Sequence, residues 1–141
     1  MRYVDASAIL RLLFREPGLT MDLASHEAMI SSRLVEVETF RAVDRVRLDG
    51  AMTDEETALK RSELAELLAR LDLVAIDDQI IGLARAPFAV NVRAIDAIHV
   101  VTAELLARRV PEEPLVFWTH DERQAVAATS RGLRVRGARN A

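Results

Sequence analysis

The N-terminal stretch Tyr3-Val4-Asp5-Ala6-Ser7 decides the fold. Residues 2–4 read as the start of a short buried strand, and Ala-Ile-Leu-Arg-Leu-Leu-Phe over residues 8–14 reads as a helix that follows at once. An acid at that junction places a carboxylate at the carboxyl end of a strand, the edge where open α/β sheets bind ligands. A plainer role exists for Asp5 or Ser7, because either type caps a helix by accepting from its free N–H groups. One junction does not choose between the two; other acids converging on the same edge would.

The chain has 141 residues, enough for one domain with a real core. Half of it is apolar and no cysteine occurs, which excludes a disulfide framework, a thiol nucleophile and a zinc–thiolate site. A net charge of −3 argues against coating nucleic acid by bulk electrostatics. Asp5 interrupts any N-terminal apolar segment, and Asp96, His99 and Glu104 cut the longest apolar run, so neither a signal peptide nor a membrane span is expected. Together these features predict a cytoplasmic domain.

Outward from the first helix, Pro17-Gly18 is a breaker pair, and a second short helix is expected over residues 20–25. Residues 28–31 read as a brief buried strand. Ser31 or Ser32 then caps a helix that ends at Asp49-Gly50. Thr53 and Glu56 have the spacing of a capping box, ahead of a helix carrying Leu64, Leu67, Leu68 and Leu71 on one face. A strand is expected over 73–76, a helix over 78–84, and a nearly all-apolar buried helix over 93–108. Residues 115–119, Leu-Val-Phe-Trp-Thr, form the clearest strand, followed by a helix over 121–129 and a last strand near 133–135. Strands alternating with helices predict a single α/β domain, its parallel sheet covered on both faces.

On this reading Asp5, Glu38, Asp96 and Asp121 all fall near one sheet edge. Each also has a structural role open to it. Asp121 with Gln124 fits a helix cap, and Glu38 has Arg41 and Arg45 on its own helix face, the favoured local pairing. Asp96 lies amid Ala94, Ile95, Ala97 and Ile98, so it needs compensation from Arg93, His99 or a metal ion. If the four converge, their repulsion calls for a cation, and oxygen-only ligands suit Mg2+ or Mn2+. Carboxylate-held ions of that kind serve phosphodiester hydrolysis by activating water.

The same residues resemble the PIN domain, and within it the VapC toxins of VapBC toxin–antitoxin pairs. The resemblance spans residues 1–141. It rests on Tyr3-Val4-Asp5-Ala6-Ser7-Ala8, on Ser31-Ser32-Arg33-Leu34 through Val37-Glu38-Thr39-Phe40-Arg41-Ala42, on Ile95-Asp96-Ala97-Ile98-His99, and on Trp118-Thr119-His120-Asp121. His120 departs from the pattern, which often has an aromatic residue there. The likeness implies a parallel sheet of order 3-2-1-4-5 and a Mg2+- or Mn2+-dependent endoribonuclease toxin. Asp5 and Asp96 would be its most direct ligands, with Glu38 and Asp121 completing the cluster, and Ser7 and Thr119 would orient the carboxylates. It further implies a VapB-type antitoxin, a structured RNA substrate such as tRNA or rRNA, and a homodimer.

Arg41 and Arg45 are placed to touch substrate or antitoxin. His99 is a possible contact as well, although a packed, hydrogen-bonded histidine is favoured about two to one. Trp118 reads as core. Arg131, Arg134, Arg136 and Arg139 make a basic C-terminus, either solvated or facing RNA phosphates. The competing functions are a non-catalytic PIN-like RNA-binding or interaction module, and a metal-dependent nuclease outside any toxin system. The intact set of acids speaks against the first, and a neighbouring antitoxin reading frame would speak against the second. Phosphoryl-transfer folds with strand-end aspartates fit poorly, since no Asp-x-Asp pair stands near Asp5 and Lys60 is the single lysine.

Overall fold

A computed structural model describes residues 1–138. The element order is β1 (Arg2–Val4), α1 (Ala6–Leu13), β2 (Met29–Ser32), α2 (Leu34–Leu48), α3 (Asp54–Leu68) and β3 (Asp72–Val74). It continues with α4 (Asp78–Ala84), α5 (Ala94–Arg109), β4 (Val116–Thr119), α6 (Glu122–Ser130) and β5 (Arg134–Gly137). All strands are parallel, in the order β3-β2-β1-β4-β5. The expected sheet and its order are both present.

Side-chain alternation along the two central strands splits the core into two layers. The ladder sets Tyr3 opposite Phe117 and Val4 opposite Trp118. Val4 and Trp118 pack with Ile9, Leu13, Val35, Val43 and Leu64, from α1, α2 and α3. Tyr3 and Phe117 face the other way, onto Val100, Ala103, Ala127 and Ala128 of α5 and α6. Trp118 is therefore core, as read from its strand.

Most local signals act as their chemistry predicts. Thr53 and Glu56 form both halves of the capping box. Asp77 caps α4 through Ile80 N–H, and α2 ends at Asp49 just before Gly50. Ser32 contributes less than expected: Arg33 is the N-cap residue of α2, and the Ser32 hydroxyl oxygen accepts from Leu34 N–H at 3.3 Å.

The helix expected over residues 20–25 does not form. Arg2 is 4% exposed at the start of β1, and its guanidinium takes the Asp22 and Glu27 carbonyls at 2.7 and 3.0 Å. The Asp22 carboxylate accepts from Ala24 N–H at 2.8 Å, which fixes a side-chain turn there. Backbone groups that a helix would use internally are thereby held by side chains.

The parallel arrangement brings the carboxyl ends of β1 and β4 together with the N-termini of α1 and α6. At that edge Gly137 has φ +103, and a Cβ on it would lie 2.5 Å from the Thr119 carbonyl oxygen. Only glycine lets β5 close onto β4 there. Arg139 lies outside the described residues. Arg131 is drawn away from solvent, donating to Glu104 at 2.8 Å and resting on the Phe88 ring.

Candidate active site

Asp5 is 2% exposed and is the N-cap of α1. Its Oδ1 accepts from Ala8 N–H at 2.9 Å, and its Oδ2 from the Thr119 hydroxyl at 2.6 Å. The Ser7 hydroxyl lies 2.7 and 2.9 Å from the two oxygens. Ser7 in turn accepts from His120 N–H at 2.7 Å, and Thr119 from Asp121 N–H at 3.0 Å. Two hydroxyls thus tie the ends of β1 and β4 into one web around the Asp5 carboxylate.

Burial pushes the Asp5 carboxyl above its ordinary range, outweighing the hydrogen bonds from Thr119, Ser7 and Ala8 that favour its charged form. The native state therefore holds this proton more tightly than the unfolded chain does. Stability attributable to Asp5 falls as pH rises from the unfolded carboxyl range through the raised native one, and stays lower at neutrality. In EDTA, Asp5→Asn is expected to gain melting temperature relative to wild type as pH is raised from 4 to 7. Melting curves across that range check this, and a constant difference would contradict it.

Asp121 divides its oxygens. Oδ1 caps α6 by accepting from Arg123 and Gln124 N–H, while Oδ2 accepts from the Arg93 guanidinium at 3.0 Å. The cap read from the sequence is formed by one oxygen, and the other is paired with Arg93. Asp96, in the first turn of α5 and 7% exposed, receives Arg93 Nε at 2.7 Å on its Oδ2. The compensation its burial demands comes from Arg93. Both carboxylates in turn hold the arginine more firmly in its charged form, Asp96 foremost.

Glu38 does not pair with Arg41 or Arg45. Its Oε2 lies 2.7 Å from His99 Nε2, across the space between α2 and α5. His99 is 1% exposed, and its Nδ1 is 2.8 Å from the Tyr3 hydroxyl. Burial pushes the Tyr3 phenol far above its ordinary range, so it stays protonated. Its oxygen accepts from Ser32 N–H at 3.1 Å, which leaves its proton for His99 Nδ1. His99 Nε2 thereby faces the Glu38 carboxylate while its other ring nitrogen is held by Tyr3. His99 stands behind the site, aiming Glu38; direct contact with a substrate is not the role this burial gives it.

Asp5, Glu38, Asp96 and Asp121 line one open cleft of about 730 Å³. Ser7, Arg41, Arg45 and Arg93 share its walls, with Leu10, Val37 and Ile95 as apolar patches. Val37 on α2 and Ile95 on α5 are 62% and 44% exposed, and Ile95 leaves the start of α5 less fully buried than expected. Arg41 pairs outward with Asp44 at 3.2 Å. Sequence reading noted Gln124 only as a cap partner. It is 3% exposed, reaches the cleft, and its amide nitrogen has no hydrogen-bond partner. No motif signals that position, since Gln124 becomes part of the site only through the fold.

Among the described residues, no three His, Asp or Glu side chains are gathered into one ready-made metal cage. The donor set is nonetheless oxygen-only, and a cation already bridges two of its members, the Arg93 guanidinium between Asp96 and Asp121. These residues fit a hard divalent ion in kind.

A β3-β2-β1-β4-β5 parallel sheet with acids from the β1–α1 junction, α2, α5 and the β4–α6 junction around one cleft is the arrangement of a PIN-type fold. The PIN domain model matches residues 2–129. Ribonuclease VapC46 of Mycobacterium tuberculosis (strain ATCC 25618 / H37Rv) is 34% identical over 136 residues, 94% of this chain and 94% of that protein. Ribonuclease VapC47 of Mycobacterium tuberculosis (strain CDC 1551 / Oshkosh) is 32% identical, over 87% of this chain and 86% of that one. The crystal structure of PAE2754 from Pyrobaculum aerophilum superposes with a TM-score of 0.66 at 17% identity, over 95% of this chain and 87% of that one, a likeness of fold alone. The chain belongs to the PIN domain family, and within it to the VapC type.

Proposed function

We propose that this chain is the toxin of a toxin–antitoxin pair, an endoribonuclease that hydrolyses RNA phosphodiesters with Mg2+ or Mn2+. The observation that carries the reading is the meeting of Asp5, Glu38, Asp96 and Asp121 in one cleft. The names of the relatives, ribonucleases of the VapC series, supply the substrate class.

Asp5 and Asp96 would hold the ion most directly, with Glu38 and Asp121 beside them. Bound there, the ion would lower the pKa of a coordinated water and neutralise charge on the phosphate. The chain's own residues do the positioning. Ser7 and Thr119 fix Asp5, and His99 fixes Glu38. Arg41 and Arg45 offer positive charge to RNA phosphates along the α2 wall.

The exposed apolar side chains Val37 and Ile95 beside these acids suit a VapB-type antitoxin lying across the same cleft. A homodimer acting in the cytoplasm completes the proposal. Among the described residues no helix is long and apolar enough to cross a membrane.

Expression in a bacterial host tests the reading. Wild type is expected to arrest growth and to generate discrete new RNA 5′ ends, and co-expression of an adjacent small reading frame is expected to restore growth. Growth at the normal rate with no new ends, from a folded and abundant protein, would overturn it.

A further inference from the structure

Arg93 makes two contacts that together outline a device. Its Nε donates to Asp96 Oδ2 at 2.7 Å and its terminal nitrogen to Asp121 Oδ2 at 3.0 Å. Asp121 has already committed its other oxygen to capping α6. The guanidinium thus occupies the oxygen through which Asp121 would reach an ion, together with an oxygen of Asp96. The arginine backbone is fixed as the N-cap residue of α5, yet its side chain is 56% exposed, so it is free to swing outward. Two positive charges will not share these oxygens: a divalent ion and a guanidinium in contact with the same carboxylates repel each other.

We propose that Arg93 is a built-in counterion of this site, bridging Asp96 and Asp121 in the empty protein and leaving when a divalent ion loads. The proposal rests on the reading that these acids bind metal. It adds that the chain itself sets the ion concentration at which they do so. Without the bridge, the empty site would hold neighbouring carboxylates with less compensation, and the ion would enter without displacing a competitor.

The test is Mn2+ binding, followed by the loss of the free aqua-ion signal in electron paramagnetic resonance, for wild type, Arg93→Gln and Arg41→Gln. Arg41 lines the same cleft but pairs with Asp44, so its replacement removes the same charge without touching the bridge. Arg93→Gln is expected to bind Mn2+ about three- to tenfold more tightly than wild type, the size of two partly exposed ion pairs. Arg41→Gln is expected to stay within about twofold of wild type. In EDTA, Arg93→Gln should melt below wild type and should gain more on addition of Mn2+. If Arg93→Gln is poorly folded, Arg93→Lys, which keeps the charge but loses the planar fork, should show the same tightening in smaller measure.

Unchanged or weaker Mn2+ binding in the Arg93 variants would overturn the counterion. Equal tightening in Arg41→Gln would overturn it too, by showing that the general field and not the bridge is responsible. Absence of saturable Mn2+ binding in all of the folded proteins would instead remove the metal reading on which it rests.

Discussion

With Asp96 replaced by asparagine, RNA cleavage is expected to fall by about 10²- to 10³-fold while the fold persists, the usual cost of losing one charge-stabilising group at a reacting centre. Asn fills the same volume on the buried face of α5, and its side-chain oxygen still accepts from Arg93 Nε, where Asp96 Oδ2 now sits at 2.7 Å. What disappears is the negative charge. That charge is what gives a divalent ion its affinity for a site already crossed by an arginine. Initial cleavage rates for wild type and variant, with near-ultraviolet circular dichroism to confirm native packing, check the expectation. Full activity in a folded Asp96→Asn protein would mean that the chemistry lies elsewhere.

The largest stability effect is expected at Phe117→Ala. Phe117 is 0% exposed at the centre of β4, stacked on Tyr3 at 5.1 Å between ring centroids. Truncating a buried phenylalanine costs about 3–5 kcal/mol, a large part of the roughly 5–15 kcal/mol that holds a domain of this kind together. The loss also reaches the site, because Tyr3 is the residue whose hydroxyl holds His99, and His99 holds Glu38. Urea denaturation is expected to show a midpoint displaced strongly downward with an unchanged slope. A shift below about 1 kcal/mol would show that the sheet does not depend on this aromatic pair.

What could be read before the structure follows the range of the forces involved. The β1–α1 junction, the Thr53–Glu56 box and the strand ending at Thr119 are set by neighbours along the chain. Their residue types alone placed Asp5 and Asp121 at one edge. The strand order came from the family likeness, since no local pattern dictates that β1 lies between β2 and β4. Glu38 was misassigned to Arg41 and Arg45 because helix spacing displays only local partners, whereas His99 is 61 residues away. Arg93 illustrates both limits at once. Its contact with Asp96, three residues on, was foreseeable; its contact with Asp121, 28 residues on, exists only because α5 and α6 meet. The turn over residues 20–25 was missed for the same reason, since its Asp22 carbonyl is claimed by Arg2, 20 residues away.

The measurement that bears most directly on the central claim is cleavage of total cellular RNA by the purified wild-type protein, assayed in parallel with Mg2+, with Mn2+ and with EDTA. The expected result is a small set of discrete fragments that appear only with a divalent ion and vanish in EDTA. Fragments of the same pattern and amount in EDTA would contradict metal-dependent hydrolysis at the Asp5–Glu38–Asp96–Asp121 cleft.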